Sequence, residues 1–134
     1  MKGYHLAVAL LISPGLSPAM ADPLPGTEWK PVEIESQAFE PLAETFLRFE
    51  GDGRYFGKGG CNTIRGTFVT NGTSILFGPA AATMMACPDE IMQQERAFMA
   101  ALSSARFFSR DGTKLDFSTV SGDVALRLQR RDAD

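Results

Sequence analysis

Cys61, Cys87 and Glu95 are the residues of this 134-residue chain whose types and surroundings point to chemistry. Cys61 lies in Gly59-Gly60-Cys61-Asn62-Thr63-Ile64-Arg65-Gly66-Thr67-Phe68, between a glycine pair and a polar turn. Cys87 closes Thr83-Met84-Met85-Ala86-Cys87-Pro88, just ahead of a helical pattern. Two such thiols can serve as metal ligands, a nucleophile, a redox couple or a structural bridge. The single histidine, His5, falls in a leader expected to be removed, so no Ser-His or Cys-His pair and no histidine-based metal site is left. There is no Cys-x-x-Cys, and two cysteines alone are too few for a structural zinc site. No GxSxG, Walker or GxGxxG motif occurs. In an exported chain an even pair of cysteines is most simply one disulfide. Two buried thiols acting as small apolar residues are the competing reading. A helix N-terminus would make Cys87 reactive if it were left unpaired, which keeps a redox role open.

Export is read from residues 1–21, MKGYHLAVALLISPGLSPAMA. Lys2 and His5 precede an apolar run at 6–12, and Ala19-Met20-Ala21 puts small residues where a signal peptidase inspects them, so cleavage is expected after Ala21. The run is too short to span a bilayer and Pro14, Gly15 and Pro18 break it, which predicts neither a membrane span nor, with no cysteine at the cleavage site, a lipid anchor. Loss of Lys2 leaves twelve basic residues against sixteen acids, a net charge of −4, with no basic face for nucleic acid. The 113 residues from Asp22 to Asp134 suit a single domain, with its core at about 26–130, and a monomer. A periplasmic or secreted location follows, with no cofactor and no metal.

These residues need elements to position them. Residues 27–35 carry Trp29, Val32 and Ile34 and read as a strand, followed by a polar or irregular connection through Pro41. Residues 45–49 and 54–58 read as a hairpin about Gly51-Asp52-Gly53. Residues 67–70 and 74–77 pair about Asn71-Gly72, a strong hairpin signal that also fits a glycosylation sequon with Thr73. Residues 88–105 form the helix, with Pro88 at its first position, Asp89 and Glu90 against the positive end of its dipole, and Ile91, Phe98, Leu102 and Ala105 in one stripe. Strands at 106–109, 115–117 and 124–128 complete a meander. The expected fold is α+β: a small curled antiparallel sheet, barrel-like, packed around one helix.

Glu95 breaks the local rule. Four residues after Ile91 and three before Phe98, its carboxylate falls inside the apolar stripe, where charge is costly unless hydrogen-bonded. Either its stem runs along the edge of the stripe with the head in water, or it accepts hydrogen bonds from the 59–66 loop through backbone amides, the Asn62 amide or the Arg65 guanidinium.

Gly26-Thr27-Glu28-Trp29, Gly59-Gly60-Cys61-Asn62 with Gly66-Thr67-Phe68, Thr83-Met84-Met85-Ala86-Cys87-Pro88, and Glu95 with Phe98 and Leu102 occur in an order that resembles the META domain family, that of the heat-inducible envelope protein HslJ. The resemblance covers nearly all of 26–130 and marks Gly60, Asn62, Arg65, Gly66, Thr83, Met85 and Glu95 as signature positions of a structural loop beside Cys61 and Cys87. It implies a small curled antiparallel sheet on a helix, and a non-enzymatic role in envelope stress tolerance through an envelope protein partner or an apolar ligand. At the level of fold it is also similar to lipid-binding pilot proteins, so a lipid-binding or secretion-accessory module is the alternative. A carboxylate-dependent hydrolase, with two acids facing one cleft, is a further alternative.

Overall fold

The computed structural model describes Gly3 and residues 23–131; the expected cleavage point after Ala21 lies outside them. Ten strands and one helix follow in order: β1 (Thr27–Ile34), β2 (Gln37–Ala38), β3 (Thr45–Phe49), β4 (Arg54–Gly59), β5 (Thr63–Asn71), β6 (Ser74–Phe77), β7 (Ala81–Ala82), α1 (Asp89–Ser104), β8 (Phe107–Asp111), β9 (Lys114–Ser118) and β10 (Val124–Arg130). All pairings are antiparallel, in the order β10-β9-β8-β6-β5-β4-β3-β1, and β1 also pairs with β10. The curled sheet therefore closes into an eight-stranded barrel, with β2 and β7 appended, so the described residues are mostly β with a single helix. Closure removes the free edges of the meander.

Alternation along each strand divides the residues between the two faces of the barrel. Trp29, Leu47, Phe49, Ile64, Leu115, Phe117, Leu126 and Leu128 are buried. Inside, Phe49, Phe68, Phe77, Phe117 and Tyr55 form a ring cluster with centroids 4.9–6.4 Å apart, mostly edge-on. Helix α1 lays Phe98, Ala101 and Leu102 on this core and touches β1, β4 and β10. Burying Phe98 alone stabilises by roughly 1.5–3 kcal/mol.

Several expected boundaries move. The segment 59–66 is not one loop: β5 begins at Thr63, so Arg65 and Gly66 lie within a strand. Gly66 is tolerated there because Tyr55, its partner across the ladder, covers it, and a Cβ at Gly66 would lie 2.6 Å from the ring. The hairpin turn is Gly72-Thr73 rather than Asn71-Gly72, since Asn71 pairs with Ser74 and Gly72 takes the positive φ of 60°. Pro88 caps α1 instead of opening it: its ψ of 147° is extended, while its carbonyl accepts from Ile91 and Met92. The connection before Pro41 contains β2, joined to β1 through Glu35 and Ser36, both at positive φ.

Candidate functional site

The turn between β4 and β5 is where the expected site residues converge. Gly59 N–H donates to the Asn62 carbonyl at 3.0 Å, which folds the chain back on itself. Gly60 takes a φ of +109°, a conformation that favours glycine, against the Ile91 side chain. That conformation turns two backbone amides toward α1. Glu95 Oε1 accepts from Asn62 N–H at 2.5 Å and from Cys61 N–H at 3.2 Å, and Glu95 Oε2 accepts from Asn62 Nδ2 at 2.7 Å. Glu95 and Asn62 are both buried. Three donors on one buried carboxylate satisfy the charge that the apolar stripe alone would strand.

Asn62 then ties the turn to the segment ahead of the helix. Its Oδ1 accepts from Met85 N–H at 2.6 Å and from the Thr83 hydroxyl at 2.9 Å. Its Nδ2 reaches the Met85 carbonyl at 3.4 Å as well as Glu95. Thr83 Oγ1 accepts from Thr63 N–H, and Thr83 N–H donates to the Thr63 carbonyl, both at 3.1 Å. Cys61 and Cys87 are joined in a disulfide with their Cα atoms 5.9 Å apart. Gly60, Cys61, Asn62, Thr83, Met85, Cys87 and Glu95 thus form one knot, to which Met85 contributes its backbone and not its side chain. Arg65 and Gly66 stand apart. Arg65 points outward with its guanidinium 5.2 Å from the Phe56 ring centre.

Chemically the knot is closed. Both Asn62 amide atoms and both Glu95 oxygens are engaged, and no buried side-chain polar atom among the described residues lacks a partner. Such a network rigidifies a structure and leaves no group free to attack a substrate. Gly59 belongs to it although its residue type gave little sign of this beyond the glycine pair. A Cβ at Gly59 would sit 2.6 Å from Glu95 Cγ and 2.9 Å from Oε1. Gly59→Ala is therefore expected to destabilise by about 1–3 kcal/mol through overpacking. Urea titration checks it, and an unchanged midpoint would show that the carboxylate is loosely held.

The sequence profile of the META domain matches residues 22–132. The chain belongs to the META domain family. Solved structures carry the same fold at low identity. One is an NMR structure of a protein from Burkholderia xenovorans, 21% identical, with a TM-score of 0.67 over 90% of this chain and 96% of that one. Another is the crystal structure of a DUF4847 family protein from Bacteroides vulgatus, 19% identical, with a TM-score of 0.55 over 70% of this chain and 64% of that one. No curated protein matches the chain.

Outside its knot, this META domain presents a groove of about 1030 Å³ on the outer face of β3, β4 and β5. Two acids, Glu50 and Asp52, line it. Both are paired: Glu50 lies 3.9 Å from Arg48, and Asp52 lies 2.5 Å from Arg54, whose hydrogen bond holds the Asp52 carboxyl below its usual range. A general acid needs the opposite shift. Among the described residues no group of three or more His, Cys, Asp or Glu is placed to hold a metal ion, and no helix is long and apolar enough to cross a membrane.

Tyr55 offers a clean optical report on the barrel, because it is the one tyrosine beyond residue 21. Burial pushes its phenol up from the ordinary value. The folded state favours the neutral form, so this contribution to stability is fully present below about pH 10 and is lost as pH rises through the folded value. Phenolate absorbance of the chain starting at Asp22 is expected to appear late and together with unfolding. Ordinary titration in a still-folded protein would show an open barrel.

Proposed function

We propose that this META-domain protein is an exported, non-enzymatic binding module that supports envelope stress tolerance by holding a protein partner. The observation that carries the proposal is the closed knot: the residues most suited to chemistry are all consumed in fixing the β4–β5 turn to the 83–87 segment. A rigid, disulfide-tied surface suits recognition, since little freedom remains to be lost on binding. The disulfide also fits an oxidising compartment, in line with export and cleavage after Ala21. A protein partner is favoured over an apolar ligand because the ring cluster fills the barrel interior where such a ligand would sit. The hydrolase reading is weaker still, since both groove acids are bound to arginines.

The test is a deletion strain grown through heat shock, complemented by the exported chain and combined with in vivo crosslinking in the envelope. Lowered survival, restored by complementation, together with a specific crosslinked protein is the expected result. Normal survival with no crosslinked partner overturns the proposal.

A further inference from the structure

Six methionines occur in the sequence, and Met1 and Met20 belong to the expected leader. The other four divide by exposure. Met92 and Met99 lie half-buried on α1, and Met99 packs against the core. Met84 is 96% exposed and Met85 59%. These two are adjacent, and they sit on a strip of surface without charge. Residues 78–88 carry no ionised side chain, and 79–86 are all exposed. A contiguous apolar strip in water marks a functional surface more often than scattered single residues do.

The backbone under the two methionines is held firmly. Met85 N–H donates to Asn62 Oδ1 at 2.6 Å, and its carbonyl accepts from Asn62 Nδ2 at 3.4 Å. Thr83, on the other side of Met84, is bonded to Thr63 through its N–H and its hydroxyl. Cys87 is bridged to Cys61. The methionine side chains take no part in this, since neither thioether makes a hydrogen bond or ring contact among the described residues. Sulfur is otherwise closed to attack there. Both cysteines are in the bridge and none is free, so a two-electron oxidant finds no thiolate and meets the thioethers.

We propose that Met84 and Met85 form a reversible oxidation site for hydrogen peroxide. A thioether lone pair attacks one peroxide oxygen; the S–O bond forms, the O–O bond breaks, and the leaving oxygen takes a proton and departs as water. Sulfur loses two electrons and peroxide gains them. A dithiol reductase reverses the step: the sulfoxide oxygen leaves as water and the dithiol closes to a disulfide. Sulfoxide is polar, so oxidation turns the strip from apolar to polar while the knot beneath keeps every bond. The surface changes and the fold does not. The site stands on exposure and sulfur chemistry, independently of the partner-binding reading above.

The test treats the purified folded chain with hydrogen peroxide and follows each methionine by peptide mapping. Met84 and Met85 are expected to oxidise roughly tenfold faster than Met99. The doubly oxidised protein should keep its melting temperature and elute earlier from a hydrophobic-interaction column. Methionine sulfoxide reductases with a dithiol should restore both the mass and the retention. Met84→Leu combined with Met85→Leu, both at exposed positions, should keep the fold and lose the fast phase and the retention change. Oxidation of all four methionines at one rate overturns the proposal. So does a melting temperature that falls as Met84 and Met85 oxidise, unaltered retention, or sulfoxides that the reductases leave in place.

Discussion

Replacing Cys61 and Cys87 together by alanine is expected to lower the melting temperature by about 15 °C. The bridge joins residues 26 positions apart. Closing a loop of that size removes about 3.5 kcal/mol of denatured-state entropy in the chain-entropy model. For a domain worth about 5–15 kcal/mol in all, that is a large share. Alanine is the right replacement because Cys61 is buried, where serine would add an unpaired hydroxyl. The loss is expected to be uneven. The 83–87 segment hangs on Asn62, Thr63 and the bridge, whereas the barrel strands hold one another through their ladders. Amide exchange in the variant should therefore rise first at 83–87, with β1, β3 and β10 still protected. Thiol titration of the unreduced, unfolded wild type should find no free thiol. Two titratable thiols, or a melt unmoved by reduction, would remove the bridge from this account.

Those expectations start from residues that were visible in the sequence, and the contrast with the invisible ones is physical. Strands β3 and β6 were legible with the bounds the structure gives them, because turn residues end both and their periodicity is local. Glu95 was legible as an anomaly for a similar reason: a carboxylate in an apolar stripe conflicts with its immediate neighbours. A barrel-like curl was expected and is found, but which strands close it was not legible. Closure depends on β1 pairing with β10 across nearly the whole chain, and nothing in alternation specifies which strands meet. The start of β5 was hidden because Gly66 looks like a break until Tyr55 is seen to cover it. Strand β7 was hidden because alanine has low strand propensity, so its conformation comes from pairing with Ile64 and Arg65 of β5 and not from its own residues. Arg65 was named as a possible partner of Glu95, but the register of β5 turns it to the outer face.

The polarity of the Glu95–Asn62 pair gives the strongest test of the knot. Glu95→Ala is expected to cost about 3 kcal/mol, because Cys61 N–H, Asn62 N–H and Asn62 Nδ2 all lose their acceptor in a buried site. Glu90→Ala, at an exposed position on the first turn, should cost well under about 1 kcal/mol. Glu95→Gln keeps the size and can keep an acceptor for the two backbone donors. It must then point its NH₂ at Asn62 Nδ2, donor against donor. Asn62 cannot relieve this by flipping, because its Oδ1 is already committed to Met85 N–H and the Thr83 hydroxyl. Asn62→Asp alone should also be costly, since it sets two carboxylates against each other. Combining Asn62→Asp with Glu95→Gln exchanges donor for acceptor across the 2.7 Å contact and keeps every other bond except the long one to the Met85 carbonyl. The double variant should therefore be more stable than the sum of its parts by about 1–3 kcal/mol in a double-mutant cycle in urea. Strict additivity would mean that the two side chains do not share a directed hydrogen bond. A cost for Glu95→Ala no larger than that for Glu90→Ala would mean that the carboxylate holds nothing.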